Sequence, residues 1–275
     1  MIDLHCHSNF SDGKLSPCDL LTKAIAANVK ILALTDHDTT AGLDHLHKAA
    51  NDQDIKIING IELSVRWKKY DLHIIGLNIE YENEDFCNLL HKQNEIRIER
   101  ARQVGLKLSN CGIKDAFQKA CDIAGHDRVA RPHFGQVLIN EGRVKDMKAA
   151  FKLYLGKSSI AYVPTSWLSL EEAVLGITRC GGQAVIAHPL KYKLTRTKLH
   201  ELIKEFKLAG GVGMEVVSGA STILEANELA GICKRFNLLA SSGSDFHGEN
   251  ASYTSLGHQR TLPVNCTPIW NQWNI

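Results

Sequence analysis

The stretch Lys30-Ile31-Leu32-Ala33-Leu34-Thr35-Asp36-His37-Asp38 joins an apolar run of strand length to side chains that bind metals. A continuous apolar run this short reads as a strand buried on both faces, with Asp36, His37 and Asp38 at its carboxyl end. Outward from it, the same arrangement recurs. Ile2-Asp3-Leu4 leads into His5 and His7, residues 57–61 (IINGI) into Glu62, residues 184–187 (AVIA) into His188, and residues 238–244 (LLASSGS) into Asp245 and His247. Helical patterns separate these strands. Ser16-Pro17-Cys18-Asp19 supplies an N-cap, a proline for the first turn and an acid, ahead of the apolar face Leu20, Leu21, Ala24 and Ile25. Ser169-Leu170-Glu171-Glu172 has the spacing of a capping box. Repeated strand–helix units with buried strands predict a parallel α/β sheet or barrel. In such barrels the carboxyl ends of the strands converge on one rim, where active sites are built.

From residue 82 to 165 the strand signal fades and long charged helical stretches replace it. The predicted organisation is therefore a barrel domain from residues 1–81 and 166–275, interrupted by a helical insertion over 82–165. Within the insertion, Lys92, Arg97, Arg100, Arg102 and Lys107 interleave with Glu95 and Glu99, which predicts a solvated helix face. The rival reading of that series is a rim that guides a 5′-phosphorylated strand.

Composition narrows the function class. The 275 residues are 44% hydrophobic and 23% charged, as in a globular protein able to bury its own core. A net charge of +2 is too small to imply a broad cationic surface for long duplex DNA and leaves room for a short local basic groove. The start Met-Ile-Asp-Leu-His has neither the basic nor the apolar stretch of a signal peptide, and no apolar run reaches the length of a membrane span. Eight scattered cysteines form no CxxC pair, so reduced thiols and a cytoplasmic location are expected.

The spacing inside each motif fits metal binding. His5 and His7 are two apart, so an extended backbone turns both imidazoles to one face and Cys6 to the other. Asp245 and His247 repeat that spacing. Imidazole with carboxylate suits zinc, manganese or iron, and the lack of cysteine pairs argues against a structural thiolate zinc site.

These motifs resemble the PHP (polymerase and histidinol phosphatase) family. His5-Cys6-His7-Ser8-Asn9-Phe10-Ser11-Asp12-Gly13 resembles its HxHSxxSDG motif, residues 34–38 its LTDHD, Gly60-Ile61-Glu62 its glutamate motif, and Gly243-Ser244-Asp245-Phe246-His247 its GSDxH. The resemblance implies a distorted (β/α)7 barrel holding two to three divalent ions (manganese, zinc or iron). By motif it gives His5, His7, Glu62 and Asp245 to a first metal. Glu62, His73 and His133 go to a second, and Asp12, His37 and His247 to a third. Arg131-Pro132-His133 in the insertion, followed by Ala187-His188-Pro189, resembles the branch that dephosphorylates nucleoside 3′,5′-bisphosphates such as pAp. Some members of that branch also trim RNA from its 5′ end. The implied partners are a small nucleotide and short 5′-phosphorylated RNA. The implied reaction is attack on phosphorus by a hydroxide bridging two metals, with Arg131 clamping a phosphate and His188 touching phosphate or protonating the leaving group. The competing readings are a histidinol-phosphate-type phosphatase, an amidohydrolase-type barrel, and a non-catalytic metal-binding scaffold.

Overall fold

A computed structural model describes residues 1–249 and 254–273. The strands are β1 (Ile2–Asp3), β2 (Ile31–Leu34), β3 (Lys56–Trp67), β4 (Tyr70–Leu77), β5 (Leu168–Ser169), β6 (Gln183–Ile186), β7 (Gly213–Ser218) and β8 (Leu239–Gly243). The helices are α1 (Pro17–Ala26), α2 (Leu43–Ala50), α3 (Glu84–Asn110), α4 (Ala116–Ala124), α5 (Arg131–Asn140), α6 (Met147–Ala150), α7 (Leu170–Arg179), α8 (Arg196–Leu208) and α9 (Ile223–Phe236). Both predicted helix starts form as read. The Ser16 hydroxyl accepts from the Asp19 amide at 3.2 Å, and Ser169 and Glu172 close a reciprocal capping box.

The chain divides into two units, Met1–Leu90 with Trp167–Ile275, and His91–Ser166. The first turns of α3 belong with the former because Phe86 and Leu90 are buried in its main core. In this first unit seven strands run in the order β1-β2-β3-β4-β6-β7-β8, with β5 beside β3. The sheet curls until its edges meet. Leu4 N–H donates to Ser242 O at 3.0 Å, Asp245 N–H to His5 O at 2.8 Å and His7 N–H to Phe246 O at 2.9 Å. The buried Asp3 carboxylate straddles this seam, accepting from the Ser244 and Gly257 amides at 2.8 and 2.9 Å. The result is a nearly closed, distorted α/β barrel.

The distortion lies at β4. Strands β1, β2 and β3 pair in parallel, as do β6, β7 and β8, but β4 is antiparallel to both β3 and β6. β4 departs from the parallel pairing that repeated strand–helix units predict and supplies the distortion that the family resemblance implies, and the reason is local. Leu63, Val65 and Trp67 alternate with Ser64 and Arg66, so β3 runs six residues past the predicted strand. Lys68 at φ 53° then turns the chain straight back. A turn this short permits only antiparallel pairing.

The helices α7, α8 and α9 bury Leu170, Val174, Leu202, Phe206 and Leu229 against the outer face of the sheet. Inside the barrel, Leu4, Ala33, Ile58, Ile75, Val185 and Ala187 pack with Ile269. The apolar filling leaves the carboxyl-end rim to polar residues. The second unit, His91–Ser166, has its own core, including Val104, Leu108, Phe134, Leu138 and Leu155. Arg97 is buried, so the predicted solvated face does not extend to it. Among the described residues no helix is long and apolar enough to cross a membrane.

Candidate metal centre

At the rim, Glu62 is fully buried and is the hub of a histidine–carboxylate cluster. It lies on β3 beside the end of β2, where its neighbour is His37. Because β4 runs antiparallel, His73 near its start reaches the same rim, opposite Ser64. His5 and His7 follow β1, His188 follows β6, and Asp245 and His247 follow β8.

The atoms converge in three groups that share residues. In the first, His5 Nε2 lies 3.1 Å from His7 Nε2, 3.3 Å from Glu62 Oε2 and 3.4 Å from Asp245 Oδ1. His7 Nε2 lies 3.3 Å from Glu62 Oε2 and 3.5 Å from Asp245 Oδ1. In the second, the other Glu62 oxygen, Oε1, is 2.9 Å from both His73 Nδ1 and His188 Nε2. In the third, Asp12 Oδ1 is 3.3 Å from His247 Nε2 and 3.8 Å from His37 Nε2. His37 Nδ1 also stands 3.1 Å from Glu62 Oε2, so the groups are joined.

Two observations test whether these residues fit metal ions. A tetrahedral ion with bonds of about 2.0–2.1 Å separates its ligand atoms by about 3.3–3.4 Å, close to the spacing of the first group. Further, His7 Nδ1, Asp12 Oδ1, His37 Nδ1, Glu62 Oε2 and His188 Nδ1 are buried without hydrogen-bond partners. Orphaned buried polar atoms are costly, and five in one cluster call for a bound cation or anion to satisfy them. The donor set fits.

The electrostatics divide the cluster: burial works against a proton on His5 and His7, but the surrounding carboxylates outweigh it, raising His5 well above the usual imidazole range and His7 to about 9. Burial alone would raise Asp12, Glu62 and Asp245, but the surrounding imidazoles, with the Lys191 ammonium beside Asp245, outweigh it and hold all three well below the usual carboxylate range. For His37, burial and the neighbouring His7 and His73 push the pKa well down. Burial and Lys191 lower that of His188. Anionic carboxylates and neutral imidazoles are the forms that coordinate metal.

Around the ligands stands a layer of supports. His247 Nδ1 lies 2.9 Å from the Asp245 carbonyl, which fixes its proton there and frees Nε2. Asp36 accepts from Ser8 Oγ and Ser11 Oγ at 2.6 and 2.5 Å, pinning the loop that carries Asp12. Asp38 accepts from the Ser64 amide and hydroxyl at 2.7 and 2.8 Å. These two aspartates, which flank His37 in sequence, brace the segments on either side of the cluster. The Cys6 thiol points away, donating to Ala33 O at 3.2 Å. Sequence reasoning missed Lys191, whose ammonium pairs with Asp245 Oδ2, and Tyr192, whose hydroxyl accepts from the His73 amide at 2.7 Å. It also missed Glu215, whose Oε1 is 2.9 Å from His5 Nδ1.

Eight of the nine predicted ligands thus stand in the barrel unit's cluster, joined there by His188. His133 and Arg131 stand in the first turn of α5, in the second unit. There His133 Nδ1 accepts from the Ala130 amide at 3.0 Å.

Comparison with known proteins bears on this arrangement. A family model described as "PHP domain" matches residues 3–155. A 3′,5′-nucleoside bisphosphate phosphatase from Chromobacterium violaceum is 42% identical over 98% of this chain and 95% of its own. The 5′-3′ exoribonuclease Rnm of Escherichia coli is 35% identical over 98% of this chain and 93% of its own. A solved structure described as an amidohydrolase from Chromobacterium violaceum, with sulfate bound and no metal, superposes with a TM-score of 0.94. It is 42% identical, covering 98% of this chain and 95% of that one.

Proposed function

The chain belongs to the PHP family, and from that premise we propose that it is a metal-dependent phosphoesterase that removes phosphate from nucleoside 3′,5′-bisphosphates and trims 5′-phosphorylated RNA. The observation that carries the reading is the clustering of eight imidazole and carboxylate side chains around Glu62, with five buried polar atoms of the cluster left without hydrogen-bond partners. The full-length similarity to a bisphosphate phosphatase and to a 5′-3′ exoribonuclease favours nucleotides over other phosphoesters.

In this proposal three divalent positions are held. His5, His7, Asp245 and Glu62 Oε2 serve the first, Glu62 Oε1, His73 and His188 the second, and Asp12, His37 and His247 the third. Manganese, zinc and iron all suit the set. Ions held there supply Lewis acidity, lowering the pKa of bound water and neutralising charge on phosphoryl oxygens. Glu62 keeps the first two positions together through its two oxygens. Lys191, beside Asp245, offers a positive charge at the rim for a phosphate oxygen. His188 joins the proposed ligands because its Nε2 stands 2.9 Å from Glu62 Oε1, the oxygen that also faces His73.

His133 is treated differently from the family expectation. A ring nitrogen that accepts from a backbone amide carries no proton, so the neutral ring's proton sits on Nε2. Neither nitrogen then has a lone pair for a metal. We therefore assign His133, with Arg131, to donating hydrogen bonds to substrate oxygens.

The test is phosphate release by manganese-loaded enzyme from pAp, histidinol phosphate and 5′-monophosphorylated oligoribonucleotides, with ammonia release followed in parallel. Turnover of pAp and RNA is expected. Activity confined to histidinol phosphate, deamination without phosphate release, or metal binding without any turnover would each overturn the reading.

A further inference from the structure

Glu215 lies in the middle of β7, fully buried, on the side of His5 away from the cluster. Its two oxygens have different partners. Oε1 is 2.9 Å from His5 Nδ1, and Oε2 accepts from the His188 backbone amide at 2.6 Å. His5 belongs to the first metal position and His188 to the second, and the two residues are 183 apart in sequence.

Each contact does separate work. A carboxylate accepts only, so His5 must keep a proton on Nδ1, and His5 Nε2 then presents its lone pair among His7, Glu62 and Asp245. At His188 the backbone sits at φ 26° and ψ 60°, a conformation that β-carbon sterics disfavour. The amide bond to Glu215 helps hold that turn, and the turn aims the His188 imidazole at Glu62 Oε1.

We propose that Glu215 is a positioning residue that sets the His5 tautomer and the His188 backbone together, so that the first and second metal positions fill as a pair. This rests on the reading of the cluster as a metal centre. It gives Glu215 a role that Glu62 does not have: Glu62 is shared by the two positions as a ligand, whereas Glu215 prepares one ligand of each from behind.

Glutamine at this site makes a sharp test, because it preserves shape and changes hydrogen-bond character. Both partners of Glu215 are donors, and an amide has one accepting oxygen and one donating NH2. If the NH2 faces His5, Nδ1 must accept, the ring proton moves to Nε2, and the first position loses a ligand. If the NH2 faces the His188 amide, two donors oppose each other, the turn at φ 26° loses its support, and the second position loses one.

The experiment is a titration of metal-free wild-type, Glu215→Gln and Asp12→Ala proteins with manganese or zinc, read by calorimetry and by metal content after desalting. Far-ultraviolet dichroism and the melting temperature of the metal-free forms check folding. Glu215→Gln is expected to weaken two of the equivalents about 10- to 100-fold, the range for losing a support behind a metal ligand, and to leave one unchanged. Asp12→Ala is expected to spare those two and weaken the other. Glu215→Gln that binds every equivalent as wild type does, or loses one alone, overturns the pairing. If the variant does not fold, long-range 15N–1H spectra of zinc-loaded wild type decide it. A proton on His5 Nδ1 and none on Nε2 supports the assignment, and the reverse overturns it. A wild-type protein that binds no metal would instead overturn the reading of the centre itself.

Discussion

At the scale of single residues, the metal-free centre is a set of charges waiting to be exchanged. Burial works against a proton on His7, but the adjacent Asp245 and Glu62 carboxylates outweigh it and raise its pKa to about 9. Two consequences follow for the metal-free protein. A pKa raised above the unfolded value of about 6.5 adds stability that is complete below pH 6.5 and is lost as pH rises through 9. Its melting temperature should therefore fall between pH 7 and 9.5, by calorimetric scanning, while that of a His7→Gln variant changes less over the interval. Metal must also displace this proton, so affinity should climb with pH up to about 9 and then level off in a competition titration. Glu62→Gln removes the charge shared by two positions. Losing several kcal/mol of transition-state stabilisation, at about 1.4 kcal/mol per factor of ten, predicts a fall in kcat of at least about 10³. A Glu62→Gln enzyme within tenfold of wild type would contradict the hub. Most residues of the candidate cluster were legible in the sequence because they sit in short motifs at strand ends, whereas His73, within β4, was expected only from the family resemblance. Glu215 was not legible: it is one acid within the apolar run Gly213–Ser218, and its partner His5 lies 210 residues away.

At the scale of elements, the motif glycines acquire a packing reason. A β-carbon on Gly243 would stand 2.2 Å from the His5 β-carbon, and one on Gly13 would stand 2.2 Å from His7 O. Neither glycine is needed for a left-handed backbone; each lets two chain segments approach closely. Gly243→Ala should push β8 from β1, costing about 1–3 kcal/mol as overpacking does, and lower the melting temperature of the metal-free protein. It should also weaken metal binding, since His5 and Asp245 are carried by the segments it separates; an unchanged melting temperature would count against this. The helices were readable from their caps, and Ser16 and Ser169 act as their neighbours in sequence indicated. The direction of β4 was not readable, because the alternation that marks a strand says nothing of its sense. Only the two-residue turn after Trp67 settles it, and that turn has lysines where glycine or asparagine would have signalled a hairpin.

At the scale of the whole molecule, the residues proposed for the first metal position lie across the seam that closes the barrel. His5 and His7 come from one edge and Asp245 from the other, with Leu4, His7 and Asp245 amides bonded across. Chelation should therefore lower the melting temperature in proportion to RT ln(1 + [metal]/Kd), about 2.7 kcal/mol when metal stands at a hundred times its Kd. In hydrogen exchange of the chelated protein, the amides of Leu4, His7 and Asp245 should lose protection before those of β3 and β4; uniform loss would mean that the seam is not the weak line. The seam has one more consequence, in the order of events at synthesis. Glu62 and His73 share a hairpin and can meet as soon as it leaves the ribosome, since local contacts form early. Asp3 and Ser244 meet across 241 residues, so the barrel cannot close until β8 has emerged. The first of the proposed metal positions, which needs both His5 and Asp245, is therefore expected to assemble after the Glu62–His73 hairpin, so the ions at hand late in folding are expected to decide which metal fills it.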